Sequence, residues 1–213
     1  MRTLGIYVHV PFCLQKCHYC DFVSYPFKEE EKLYLRLLLS ELRMRVYRDS
    51  LLGWTVQSAY FGRGTPSLCG SFFFSEFFKE LRTFFVLPPS LEVTLETNPQ
   101  EISQERLKEW KEVGISRLSI GVQSFNPRYL FFLGRHSTPD ALHKALCTVC
   151  EGGWNNWNID LIYGLPFQNF DFWQEDLKKA LSYSPPHISI YNLTISFRVP
   201  LFLSSQASLP FSR

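Results

Sequence analysis

The chain has 213 residues, with 22 Lys and Arg against 20 Asp and Glu, and a formal charge of +2. Hydrophobic residues make up 46% and charged residues 20%, a globular composition that excludes wholesale disorder. The balanced charge argues against a dedicated nucleic-acid binder, and no apolar run approaches the ~18 residues of a membrane span. The length is short of the about 250 residues typical of a complete eight-stranded α/β barrel.

The hydrophobic pattern predicts strands that alternate with helices along the chain. Strands are predicted over 4–10, 56–61, 91–96, 116–123, 157–163 and 187–193. Helices are predicted over 28–48, 72–84, 103–114, 139–152 and 172–181. This order is typical of a parallel sheet flanked by helices, and it fits both an open doubly wound sheet and a partial barrel. Residues 194–213 lack periodicity and are predicted to form an irregular tail.

Three cysteines, Cys13, Cys17 and Cys20, fall within eight residues in the loop after the first strand. Three thiolates at C-x3-C-x2-C spacing favour a 4Fe-4S cluster with one iron left free for a small molecule. A zinc site completed by His9 or His18 stays open, as does coincidence.

The other cysteines, Cys69, Cys147 and Cys150, are expected to pack in the core, although C-x2-C leaves a redox or metal role open for the last two. No secretory signal is recognised at the N-terminus, so reduced thiols and a cytoplasmic location are expected.

Polar residues recur where the predicted strands end, which is where parallel α/β folds bind ligands. They lie in the segments 62–67, 96–99, 121–125 and 160–166, and at Tyr191. Asp160 is the most informative, because a carboxylate inside an apolar strand needs a partner or a shifted pKa.

These segments resemble the radical S-adenosylmethionine (SAM) superfamily, and within it the HemW-like branch related to oxygen-independent coproporphyrinogen III oxidase. The resemblance covers roughly residues 4–193. The segments that carry it are IYVHVPF (6–12), YCDF (19–22), FGRGTPS (61–67), LETNP (95–99), SIGVQSF (119–125), LGRH (133–136), DLIYGLP (160–166) and HISIY (187–191).

The resemblance implies a six-stranded parallel partial (β/α)6 barrel over residues 1–193, followed by the tail. It implies a 4Fe-4S cluster on Cys13, Cys17 and Cys20, whose open iron is chelated by SAM. The positions that match the family's SAM site are Tyr7, Tyr19, Gly62, Gly64, Thr65, Glu96, Gln123, Arg135 and Asp160. Glu96 is expected to bond a SAM hydroxyl or amine, Arg135 to pair with the SAM carboxylate, and Asp160 to lie by the ribose.

The same resemblance implies a haem chaperone that binds haem or a porphyrin and passes it to an acceptor protein. It implies a flavodoxin- or ferredoxin-type electron donor, no nucleic-acid partner, and membrane contact only through the acceptor. The alternatives are an oxygen-independent coproporphyrinogen III dehydrogenase that uses a 5′-deoxyadenosyl radical, and a truncated, non-catalytic metal-binding remnant. Phe22 disfavours the dehydrogenase, which has a further Cys at this position.

Two features depart from the family pattern. Arg63 stands where the family has the central glycine of Gly-Gly-Gly-Thr-Pro, so its side chain either obstructs the SAM methionyl group or points outward. The sequence after strand six does not follow the family pattern, so the family's C-terminal domain, associated with haem or substrate handling, is expected to be absent. The remnant alternative rests on these two features.

Overall fold

A computed structural model describes residues 2–27, 30–197, 199 and 201. Six strands form the main sheet: β1 (Thr3–His9), β4 (Thr55–Gly62), β5 (Glu92–Thr97), β6 (Arg117–Gln123), β7 (Trp157–Tyr163) and β8 (His187–Asn192). Two short strands, β2 (Phe12–Cys13) and β3 (Tyr25–Pro26), pair separately. The helices are α1 (Glu31–Arg48), α2 (Ser71–Phe84), α3 (Gln104–Glu112), α4 (Pro127–Phe132), α5 (Pro139–Glu151) and α6 (Phe170–Ser182).

The strand order of the main sheet distinguishes the two predicted architectures. All the pairings are parallel, and the order β1-β4-β5-β6-β7-β8 follows the chain without reversal. A doubly wound sheet reverses its strand order at a switch point, whereas a barrel does not. The six strands therefore form a curled half-barrel, which confirms the predicted partial barrel.

The two faces of the sheet differ in chemistry. Along β6, Leu118, Ile120 and Val122 are fully buried against the helices, whereas Ser119 and Gln123 alternate with them on the inner face. Apolar side chains hold the helical layer, and polar ones line the inside of the half-barrel.

Phenylalanines build the core between β4 and α2. Phe61 lies at the centre, with ring centroids 5.1 to 6.4 Å from those of Phe73, Phe74, Phe77 and Phe78, all in edge-to-face contact. Edge-to-face pairs match the positive edge of one ring to the negative face of another. Because Phe61 directly precedes Gly62 and Arg63, this packing also fixes the end of β4.

Most predicted helices agree with the structure to within a few residues, and Ser103 caps α3 as predicted by accepting a hydrogen bond from the Arg106 amide. The start predicted for the first helix, Lys28, lies outside the described residues. The short helix α4 was not predicted. It begins at Pro127, and the Asn126 side chain caps it by accepting from the Arg128 amide.

The prediction that the last three cysteines pack in the core is only partly right. Cys69 is fully buried, but Cys147 is half-buried and Cys150 is exposed. Both lie on α5, whose buried face is formed by Leu142, Leu146 and Val149 instead.

The predicted tail, 194–213, is described only at 194–197, 199 and 201. Within that part, Val199 and Leu201 are buried, and the Leu201 amide donates to the His18 carbonyl over 3.1 Å. This stretch of the tail therefore packs against the cysteine loop. Among the described helices, none combines the length and apolarity that crossing a membrane requires.

Candidate functional site

A cavity of about 690 Å³ opens at the carboxyl ends of the strands. Its lining includes the predicted residues Tyr7, Cys13, Cys17, Tyr19, Cys20, Gly64, Thr65, Glu96, Gln123, Arg135 and Asp160. Gly62 is the one predicted site residue that does not line it. The structure thus brings together groups that are up to 153 positions apart in the chain.

Backbone pairing closes the cysteine loop, residues 13–20, at its base. The Tyr25 amide donates to the Pro11 carbonyl over 2.7 Å, and the Phe27 amide to that of Cys13 over 2.9 Å. The loop is also bound to the end of α4, where the His18 amide donates to the Leu133 carbonyl over 3.0 Å. The three thiols are therefore held on a fixed loop over the sheet.

The two histidines proposed as zinc ligands are engaged elsewhere. His18 Nδ1 hydrogen-bonds with the Phe132 carbonyl at 3.0 Å, and His9 Nε2 with that of Val23 at 3.2 Å. Within the described residues, no three His, Cys, Asp or Glu side chains are grouped to hold a single metal ion. A cubane cluster differs, because each thiolate binds a different iron and the sulfurs need not meet at one point.

The thiols have hydrogen-bond donors beside them. Arg135 Nη1 lies 3.6 Å from Cys17 Sγ, and the Thr65 hydroxyl donates towards Cys13 Sγ at 3.9 Å. Burial raises the pKa of the Cys13 and Cys20 thiols, so binding a metal requires them to release their protons. Three soft donors on one loop, facing a cavity and flanked by N–H and O–H groups, fit a cluster with three protein ligands.

The Arg135 side chain has partners within the protein that the sequence did not predict. It was expected to pair with a carboxylate of SAM, but its Nη2 donates to the Gly121 carbonyl while Nη1 faces Cys17. The guanidinium therefore connects the cysteine loop to β6, and its role toward SAM stays a prediction.

Glu96 joins β4, β5 and the loop after β4. Its Oε1 accepts from the Tyr60 hydroxyl and its Oε2 from the Arg63 amide, each at 2.8 Å. Burial raises the pKa of Glu96 and also that of Tyr60, so the phenol stays protonated and able to donate.

Asp160 is held by its neighbours on the inner face of the sheet. Its Oδ2 accepts from the Ser119 hydroxyl at 2.9 Å, and its Oδ1 from the Asn158 amide at 2.8 Å. Burial raises the pKa of this carboxyl despite those bonds. The strand-interior carboxylate identified in the sequence therefore has both partners and a shifted pKa.

Glycine is required in the loop after β4 because backbone segments meet there. A Cβ on Gly64 would lie 2.5 Å from the carbonyl oxygens of Val10 and Phe12, and one on Gly62 would lie 2.7 Å from the Tyr60 ring. The Thr65 amide completes the contact by donating to the Phe12 carbonyl over 2.6 Å.

Two non-glycine residues with positive φ, Arg63 and Gln123, line the cavity. Gln123 has a φ of 70°, and the pairing of β6 with β7 shifts register between Gly121 and Gln123. Bulges and left-handed residues of this kind often occur beside active sites, where they redirect a side chain.

Three of the lining residues, Tyr60, Asn98 and Ser119, were not among the predicted site residues. The Asn98 side chain donates to Thr65 Oγ1 over 3.0 Å. The usable signal was the alternation of polar with apolar residues along each strand. Positions 119, 121 and 123 of β6 and 158 and 160 of β7 share the inner face.

We expect Asp160→Asn to flatten the dependence of stability on pH. At pH values between the ordinary pKa of Asp and the raised pKa of Asp160, the unfolded chain has lost a proton that the folded chain keeps. The free energy of unfolding therefore falls as the pH rises through this range. Asn keeps the size and the bond from Asn158 but removes this titration. Urea unfolding at pH 4 to 8 measures the effect, and an unchanged slope would contradict it.

Comparison with known proteins defines the class. The pattern of the Radical SAM superfamily matches residues 7–180, so the chain belongs to this superfamily. Among solved structures, coproporphyrinogen III oxidase (HemN) from Escherichia coli superposes with a TM-score of 0.83 at 29% identity. That match covers 99% of this chain and 48% of that one.

Among curated proteins, the chain is similar to the haem chaperone HemW. It is 38% identical to the Haemophilus influenzae protein and 36% identical to that of Escherichia coli K12, each over 92% of this chain. The mouse mitochondrial radical SAM domain-containing protein 1 is 36% identical over 97% of this chain. The chain spans about half the length of these relatives.

Proposed function

We propose that this chain is a HemW-like protein that binds a 4Fe-4S cluster and SAM and handles haem. The observation that supports this most is the placement of Cys13, Cys17 and Cys20 on one anchored loop, facing a cavity with polar groups. The relatives are named as HemW haem chaperones, and we propose that this chain also binds haem.

The cluster's ligands would be the three thiolates, with the remaining iron open to the amine and carboxylate of SAM. When bound, such a cluster supplies electrons to the sulfonium of SAM. The chain's own residues orient the cysteine loop and SAM and shield the cluster from solvent. Arg135 fixes the cysteine loop to β6, while Glu96 and Asp160 present acceptors to SAM hydroxyl or amine groups.

The partners proposed are haem or a porphyrin, an acceptor protein for haem, and a flavodoxin- or ferredoxin-type electron donor. Reduced thiols and a reduced cluster require a reducing compartment, so we propose the cytoplasm as the location. Phe22 at the position of the further Cys is the observation that favours the chaperone over coproporphyrinogen oxidation.

Anaerobic reconstitution of the chain with iron and sulfide tests this proposal. We expect about four irons and four sulfides per chain, binding of SAM, and a shift of the haem Soret band on titration. Release of 5′-deoxyadenosine together with loss of coproporphyrinogen III would support the dehydrogenase instead. Zinc in place of iron in the anaerobically purified protein would overturn the cluster.

A further inference from the structure

Arg63 has a backbone conformation that glycine prefers. Its φ is 76°, in the left-handed region that side chains with a Cβ disfavour. Its amide donates to Glu96 Oε2, but any residue, including glycine, could make that bond. The backbone thus gives no advantage to an arginine here, and what Arg63 adds over glycine is its side chain.

The Arg63 side chain lines the cavity and is exposed to solvent. Its guanidinium carbon is 3.6 Å from the centroid of the Phe22 ring, and both residues are exposed while lining the cavity. Arg63 also interacts with Tyr7. Burial raises the pKa of that phenol, and a hydrogen bond with the Arg63 side chain partly offsets the rise. The aromatic face orients the guanidinium without using its N–H groups as an ion pair would.

None of the ion pairs in the part of the chain that the structure describes includes Arg63, although its charge partly offsets the rise that burial causes in the pKa of Glu96. Lys16 and Asp21, which also line the cavity, carry opposite charges. Glu96, whose Oε2 accepts from the Arg63 amide, and Asp160 also line the cavity and would repel an anion that approached them. A carboxylate is the group that matches a planar guanidinium whose N–H donors are not engaged in a contact ion pair.

We propose that Arg63, oriented by Phe22, is a binding position for a carboxylate of the ligand. The inference rests on the proposed function, which offers two sources: the propionates of haem or a porphyrin, and the α-carboxylate of SAM. Arg63 is exposed, whereas Arg135 is half-buried and bonded to the Gly121 carbonyl, so Arg63 is the more accessible of the two to a large ligand such as haem.

Ligand pairs that differ in one carboxylate test the proposal. The reconstituted full chain and its variants Arg63→Gln and Arg63→Gly are titrated with haem and haem dimethyl ester, and with SAM and methylthioadenosine. The control is Arg2→Gln, because Arg2 lies over Trp54 at 5.5 Å but precedes β1, at the opposite end of the strands.

We expect both Arg63 variants to bind haem about tenfold more weakly than the wild type, while binding of the dimethyl ester stays unchanged. A loss for SAM, and not for haem, would assign the position to the amino-acid carboxylate. Unchanged affinity for both overturns the inference and leaves the proposed function intact. Absence of haem binding in the wild type overturns the chaperone proposal, and the SAM arm then decides the inference alone.

Discussion

Replacing Cys13, Cys17 or Cys20 with Ser, one at a time, is expected to abolish assembly of the 4Fe-4S cluster. Each thiolate would bind a different iron, and a neutral hydroxyl is a poor substitute for a soft, anionic ligand. The nearby histidines, His9 and His18, are engaged with backbone carbonyls and do not face the cluster site as replacements. Iron and sulfide analysis after anaerobic reconstitution measures the loss.

The matched control is Cys150→Ser, because Cys150 is an exposed thiol on α5 away from the cavity lining. We expect this variant to assemble as much cluster as the wild type. Full iron content in any of the three loop variants would show that the cluster ligands have been assigned wrongly.

Phe61→Ala is expected to lower the free energy of unfolding by about 3–5 kcal/mol, the range for removing a fully buried aromatic ring. The ring is 0% exposed and sits among four phenylalanines of α2. Those rings belong to a helix and cannot collapse far into the space left behind, so a cavity remains. Urea unfolding under reducing conditions measures the change.

Phe131→Ala removes the same side chain from the surface, where Phe131 is 83% exposed on α4. It is expected to change stability by less than about 0.5 kcal/mol. A loss below about 1 kcal/mol for Phe61→Ala would mean that the layer between β4 and α2 is not the core of the fold.

Much of the fold was predictable because each strand carries its own apolar face and each helix its own stop signals. β7, for example, has the predicted bounds Trp157–Tyr163. The choice of a half-barrel over a doubly wound sheet was not available from spacing, since it depends on which strand edges pair. Whether Cys150 lies on the buried or the exposed face of α5 could not be predicted either, because packing against the sheet decides which face is buried.

In the candidate site, the cysteines and Asp160 could be identified because their chemistry is unusual for their positions. Contacts between distant segments could not, such as the His18 amide with the Leu133 carbonyl or Arg135 with Cys17. The same holds for the Arg63 guanidinium over Phe22, which depends on how the cysteine loop folds back over the end of β4. Local sequence does not contain that geometry.

The central claim, a three-cysteine cluster whose open iron binds SAM, is tested most directly by electron paramagnetic resonance of the reconstituted, reduced chain. We expect the signal of a reduced 4Fe-4S cluster, and a change in its g-values when SAM is added, because SAM becomes a ligand of the fourth iron. A signal that SAM leaves unchanged at saturating concentration, or a chain that assembles no cluster, would contradict the account.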